Sequence, residues 1–205
     1  MMKAMKRQHI KPVYAFIDSQ NLNVSTQRLG WKVDWKKFRI WLSETYNVEK
    51  AYLFIGYVPE FEEMYQQLHE SGYLIVLKPT FDMTKVQLTA EEKEKRKEKG
   101  EGAKDDRPTK GNVDADLVLW AMKEMPNYSK AVLVSGDGDF FALVEYLAEQ
   151  KRLLKLLAPN AFYSGLYNQF EEYVVRLDLH RNELAYRDFK RRKPQPHKPV
   201  DKPKT

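Results

Sequence analysis

The 205-residue sequence contains no cysteine, so it can form neither a disulfide framework nor a thiolate metal site. It has no apolar run long enough to span a bilayer and no signal-peptide segment after its N-terminal lysines. It also lacks the GxxxxGK[ST] loop of nucleotide triphosphatases. We therefore expect a cytoplasmic protein without a membrane partner.

Charge is distributed unevenly along the chain. Of the net charge of +6, residues 187–205 carry +6 and residues 1–11 carry +4, which leaves about −4 for residues 12–186. We predict a basic N-terminal arm (1–11), one folded domain (12–186) and a basic, proline-rich disordered tail (187–205). Basic ends on an acidic body suit a polyanionic partner, although a merely solubilising tail is the alternative.

Short, continuous apolar runs predict strands that are buried on both faces of a parallel sheet. Between these runs lie stretches in which the apolar residues have helical spacing. Asp34 is a candidate N-cap for the helix predicted over 34–46. This alternation predicts an α/β layered fold with right-handed crossovers. The predicted strands are 13–17, 51–57, 73–79, 131–136 and 153–159, and the predicted helices are 34–46, 60–70, 113–125, 139–150 and 162–170.

Residues 82–110 interrupt the alternation. The stretch 90–110 contains fifteen charged residues of twenty-one and almost no apolar ones. Such a composition cannot bury enough surface to hold itself in place. We expect a solvated, flexible insertion rather than an ordered binding element.

Acidic residues stand where two predicted strands end. "FIDSQN" places Asp18 at the tip of the first strand, with Asn21 one turn later, and "VSGDGDF" places Ser135, Asp137 and Asp139 at the tip of the fourth. In open α/β sheets the functional crevice lies at the carboxyl ends of the strands. We therefore expect the first and fourth strands to be adjacent.

A further acid comes from "KGNVDADL" (110–117), which begins the helix before the fourth strand. Asp114 shares a helix face with Leu117 and Ala121, whereas Asp116 lies roughly 200° away. Asp114 is therefore the acid that should face the crevice.

Each acid also has a structural interpretation. Asp18 and Asp139 could cap the helices that follow them, and Asp137 could sit in a tight turn. Together, however, Asp18, Asp114 and Asp137 would repel one another without a cation. A ligand set made only of oxygen atoms suits Mg²⁺ or Mn²⁺ rather than Zn²⁺.

The three motifs "FIDSQN", "KGNVDADL" and "VSGDGDF" resemble the NYN domain (the LabA-like or DUF88 group) of the PIN-like nuclease superfamily, over roughly residues 12–180. The resemblance implies a Rossmann-like three-layer sandwich with a mainly parallel central sheet and a metal-dependent ribonuclease site. It implies that Asp18, Asp114 and Asp137 bind the metal. Many members have a further acid where this chain has Trp120.

The expected chemistry is hydrolysis of RNA phosphodiester bonds by water activated by Mg²⁺ or Mn²⁺. Asp139 would be a further catalytic residue, whose carboxylate orients the attacking water. Asn21, Ser135 and Lys110 would support the site or bind substrate.

Other interpretations of the acids fit less well or remain open. An aspartyl-nucleophile phosphatase needs an aspartate where this chain has Gln20, and a toprim-like domain expects a glutamate in place of Asp18. A non-catalytic RNA-binding NYN module that acts through partners remains the alternative function. The sequence leaves open the RNA substrate, one versus two metals, and a monomer versus a homodimer.

Overall fold

The structure is a computed structural model that describes residues 11–79 and 113–187. Six strands and six α-helices are seen in these ranges, with short 3-10 segments between some of them. The strands are β1 (Val13–Asp18), β2 (Val48–Tyr57), β3 (Tyr73–Pro79), β4 (Lys130–Val134), β5 (Leu153–Ala158) and β6 (Val174–Arg176). The α-helices are α1 (Ser19–Arg28), α2 (Trp35–Tyr46), α3 (Glu62–Glu70), α4 (Asp114–Glu124), α5 (Phe141–Glu149) and α6 (Arg181–Leu184). The 3-10 segments are Pro59–Phe61, Gly138–Phe140, Gly165–Tyr173 and Leu177–His180.

The six strands form one sheet in the order β3-β2-β1-β4-β5-β6, and every pairing of neighbouring strands is parallel. This confirms the predicted α/β fold and the adjacency of the first and fourth strands. The strand order reverses between β1 and β4. From β1 the chain adds β2 and β3 on one side; it then returns to the middle of the sheet as β4 and adds β5 and β6 on the other side. Sheets of this kind bind ligands in the crevice at the carboxyl side of the reversal.

Two apolar layers cover the sheet, one on each face. Alternation along β1 sends Tyr14 and Phe16 to one layer and Ala15 and Ile17 to the other. Helices α4 and α5 pack against the first layer, and α1, α2, α3 and α6 contribute to the second. Because Asp18 has the same parity as Tyr14 and Phe16, it lies on the face that carries α4.

Helix α2 shows how local sequence sets the elements. Asp34 has extended backbone angles, and its carboxylate accepts the N–H of Lys37 at 3.1 Å, as expected for an N-cap. Phe38 and Leu42 bury one face of the helix, and Asn47 ends it in the left-handed region, with φ of 56°. The helix predicted over 34–46 and its cap are confirmed.

Several elements differ from the predictions. β2 begins at Val48, three residues before the predicted run, and the helix predicted over 162–170 is the 3-10 segment Gly165–Tyr173. The strand β6 was not predicted. The insertion 82–110, Lys110 and most of both basic ends lie outside the described residues. No helix in the described ranges is long and apolar enough to cross a membrane.

Candidate active site at the carboxyl edge of the sheet

The ends of β1 and β4 place Asp18 beside Ser135. Ile17 pairs with Val134, and the residue that follows each of them lies at the carboxyl edge. The Ser135 hydroxyl donates to Asp18 Oδ2 at 3.3 Å, and both side chains are buried. The two strand-end motifs therefore meet in space.

Residues 135–139, which we call the acid loop, are held by a chain of hydrogen bonds. The N–H of Asp137 donates to Ser135 Oγ at 3.1 Å, and the N–H of Asp139 donates to Asp137 Oδ1 at 3.1 Å. The N–H of Gly136 donates to Asn21 Oδ1 at 2.9 Å. Asn21 thus ties the first turn of α1 to the acid loop.

Asp114 is the first residue of α4 and shares its inner face with the fully buried Leu117 and Ala121. Its charge and that of Asp137 both act on the Asp18 carboxyl, so the three acids lie near enough to influence one another. Asp116 behaves differently: its Oδ2 lies 3.2 Å from Lys78 Nζ. The structure thus separates the two acids of this motif as their helix positions predict.

The Asp18 carboxyl is in an electrostatically unfavourable position. Burial above all, together with the charges of Asp114 and Asp137, raises its pKa to about 6, although hydrogen bonds from the Asn21 N–H and the Ser135 hydroxyl oppose the shift. A buried carboxylate with two acidic neighbours favours either a proton or a cation. Ionisation of Asp18 is therefore disfavoured at this edge of the sheet when no cation is near.

The structural interpretations of the acids can be judged one by one. Asp18 is the N-cap of α1, since its Oδ1 accepts the N–H of Asn21 at 3.0 Å. Asp137 caps the 3-10 turn that opens at Gly138. Asp139 does not cap α5, whose N-cap is Phe140 with no side-chain bond. Capping and ligand binding are compatible for Asp18 and Asp137, because each carboxylate has several lone pairs.

Of three further residues named from the sequence, the structure describes two. Asp139 is exposed on the acid loop, and Lys110 lies outside the described residues. Trp120 is half-buried, with its ring 5.5 Å from that of Tyr52, so no fourth acid is present at this position of α4. Its ring also lies 5.0 Å from Lys123 Nζ.

The loop after β5 contributes to the site, and the sequence did not single it out. The N–H of Ser164 donates to the Gly136 carbonyl at 2.9 Å, and the Tyr167 hydroxyl donates to the Asp137 carbonyl. Burial and then the charges of Asp137 and Asp139 raise the pKa of Tyr167, which keeps it a donor. Inspecting the end of the fifth strand as well as the first and fourth would have found this loop.

The acids are grouped loosely rather than clustered tightly. Within residues 11–79 and 113–187, no group of three or more histidine, cysteine or acidic side chains is arranged closely enough to hold a metal ion by itself. The side-chain donors at the crevice are all oxygen atoms, from Asp18, Asp114, Asp137, Asn21 and Ser135. Such a set suits a hard divalent cation that keeps water and takes further ligands from a substrate.

A parallel sheet with acids at its strand-order reversal is the arrangement expected of a PIN-like α/β protein. The sequence model of the NYN domain matches residues 12–177. The chain therefore belongs to the NYN family, whose members are generally nucleases.

One solved structure is similar over most of the chain. It is a protein of unknown function from Vibrio parahaemolyticus, VPA0982, with a TM-score of 0.63 and 21% identity, covering 89% of this chain and 100% of that one. At this identity the likeness shows the fold alone. No curated protein matches the chain.

Proposed function

We propose that this protein is a metal-dependent endoribonuclease that hydrolyses RNA phosphodiester bonds with Mg²⁺ or Mn²⁺. The observation that carries the proposal is that the charges of Asp114 and Asp137 both act on the buried Asp18 carboxyl at the strand-order reversal. Membership of the NYN family supports a nuclease-type, RNA-related function. The metal, the endonucleolytic mode and the substrate are our proposals.

The residues at the crevice fit a divalent cation. Burial first, and then the charges of Asp114 and Asp137, raise the pKa of Asp18, and a bound cation would stabilise its charged form. All donors are oxygen atoms, as Mg²⁺ and Mn²⁺ prefer. The loose spacing of the acids favours weak binding in the absence of substrate, because Mg²⁺ in such sites is shared with substrate phosphate oxygens.

Asp18, Asp114 and Asp137 would hold the cation. When bound, it would polarise the scissile phosphate and lower the pKa of a water molecule. Asp139, exposed at the mouth of the crevice, would orient the attacking water and accept its proton. Ser135 fixes both its acidic neighbours, and Asn21 fixes the acid loop, so the carboxylates keep their positions as the negatively charged substrate enters.

The decisive experiment compares two neighbouring aspartates of α4. Asp114→Asn removes an acid of the crevice, and we expect the cleavage rate of labelled RNA in Mg²⁺ or Mn²⁺ to fall by about 10²-fold or more. Asp116→Asn is the matched control, since Asp116 contacts Lys78. It should retain most of the activity.

RNA binding measured beside cleavage separates the enzyme from the non-catalytic alternative. Asp114→Asn should bind RNA as well as the wild type or slightly more tightly, because it removes a charge that repels phosphate. The absence of a tight three-acid group among the described residues is the observation that favours the alternative. Unchanged cleavage in Asp114→Asn, or RNA binding without cleavage in the wild type, would support the binding module.

A further inference from the structure

Phe162 is 85% exposed, the most exposed large apolar side chain in the described parts of the chain. It lies in residues 159–165, which we call the aromatic loop. β5 ends at Ala158, so the aromatic loop leaves the sheet at its carboxyl edge. That edge also carries the acid loop.

The aromatic loop packs directly on the acid loop. The N–H of Ser164 donates to the Gly136 carbonyl at 2.9 Å. A Cβ atom added to Gly136 would lie 3.3 Å from both Pro159 Cδ and Tyr163 Cβ. Residues before and after Phe162 in the sequence therefore contact the acid loop, and Phe162 lies in the segment between these contacts.

The backbone around Phe162 is fixed. Its N–H donates to Asn160 Oδ1 at 2.7 Å, and the Asn160 amide donates to the Ser25 carbonyl at 3.4 Å. Asn160 is only 8% exposed. A fixed backbone that presents an exposed ring loses little conformational entropy when a flat ligand stacks on that ring.

The surroundings of the ring favour a nucleobase as that ligand. Asp18, Asp137 and Asp139 make this edge acidic, so the phosphates of RNA are repelled unless cations intervene. Stacking of a base on an aromatic ring needs no charge and tolerates any base. Only unpaired bases offer their faces, since the bases of a duplex are stacked on one another.

We propose that Phe162 is a stacking platform for an unpaired base of the substrate. This inference rests on the proposed function and adds to it a residue that contacts the substrate. Leu166, which is 53% exposed and lies beside Gly138, is a second exposed apolar side chain next to the acid loop.

Binding of short labelled single-stranded RNA to the full-length protein in EDTA tests the proposal without cleavage. We expect Phe162→Ala to weaken binding about tenfold and Phe162→Trp to preserve it. Tyr146→Ala is the matched control: Tyr146 is 38% exposed in the second half of α5, towards the edge where β5 begins. It should not affect binding.

Two further probes separate stacking from contacts with the backbone. An oligonucleotide of the same length without bases, and a fully paired duplex, should each bind wild type and Phe162→Ala equally. Equal affinity of the two proteins for the single strand would overturn the proposal, as would an equal loss on the abasic strand. If the wild type cleaves RNA but Phe162→Ala binds normally, only this inference fails. If the wild type neither binds nor cleaves RNA, the proposed function fails as well.

Discussion

Two features of the Asp18 environment shift its pKa in opposite directions. As the N-cap of α1 it accepts the N–H of Asn21, which favours the charged carboxylate. Burial and the charges of Asp114 and Asp137 favour the neutral acid and prevail, which leaves its pKa at about 6. In metal-free protein at pH 8 this residue is therefore charged in a position that disfavours charge.

This conflict predicts a pH-dependent gain of stability in Asp18→Asn. The pKa of Asp18 is about 6 in the folded protein, above the ordinary value of 3.8, so the folded state binds the proton more tightly. The stabilisation that this tighter proton binding gives the folded state is complete below about pH 4 and is lost as the pH rises through about 6. In EDTA at pH 8 we expect Asp18→Asn to raise the free energy of unfolding by about 1–3 kcal/mol. Urea denaturation followed by tryptophan fluorescence measures it.

The gain should shrink when the same denaturation is repeated at about pH 4.5, where wild-type Asp18 is already protonated in the folded state. Asp34→Asn is the control, because Asp34 caps α2 in the same way but lies beside Lys37 rather than beside other carboxylates. It should show no gain at pH 8. A gain in Asp18→Asn of equal size at both pH values would contradict the electrostatic explanation.

At the scale of elements, the site depends on the junction of the acid loop and the aromatic loop. A Cβ atom on Gly138 would lie 2.6 Å from Ser164 Oγ and 3.1 Å from Ser164 Cβ. The absence of a side chain at position 138 therefore allows the two loops to pack. Asp137 lies on the acid loop, so the position of Asp137 also depends on this contact.

We expect Gly138→Ala to push the loops apart, to cost about 1–3 kcal/mol of stability and to slow RNA cleavage. Gly165→Ala is the matched control, since a Cβ there would meet nothing within 4 Å. Adding Ser164→Gly to Gly138→Ala removes both close atoms and should recover part of the stability. Thermal unfolding and cleavage rates of Gly138→Ala, of Ser164→Gly and of the double variant measure the coupling between positions 138 and 164. Strictly additive effects would mean that the contact is unimportant.

The elements predicted from the sequence are those whose signals are local. β1, β4 and α2 combine a continuous apolar run or helical spacing with a clear boundary residue such as Asp34. β6 is only three residues long and half-buried, and it exists through its pairing with Leu156–Ala158. Such a strand is determined by a distant partner, and its own residues give no signal.

The candidate site also has parts that could be predicted from the sequence and parts that could not. The acids could be predicted because a rule connects strand ends to one edge of a parallel sheet. The bonds between Asn21 and Gly136 and between Tyr167 and Asp137 could not, because they join segments that are far apart in the chain. The helical spacing over 162–170 misled the prediction, since the segment is a 3-10 helix with a kink at Phe170.

At the scale of the whole molecule, the sign of the charge differs between the body and the ends. Residues 12–186 sum to about −4, and the acids of the crevice add to the repulsion of a polyanion at its mouth. The basic ends carry the compensating charge, and they include Lys3, Lys6, Arg7 and Lys11 on one side and Arg187, Lys190, Arg191, Arg192 and Lys193 on the other. If RNA is the substrate, as proposed, its long-range attraction must therefore come mainly from these ends.

Deletion of residues 188–205 tests whether the C-terminal end recruits RNA. The cut spares Leu184, which is buried, and Tyr186, whose N–H donates to the Lys32 carbonyl at 2.8 Å, so the body should stay folded. For every phosphate that the tail neutralises in the intact protein, the deletion should lower the slope of log affinity against log salt by about 0.7 on single-stranded RNA. We expect weaker binding to unrelated RNA sequences and a flatter slope, with little change in single-turnover cleavage at saturating RNA. A variant with the order of residues 188–205 scrambled keeps the charge and should behave as the wild type. If the truncated protein keeps the wild-type slope, the tail only aids solubility.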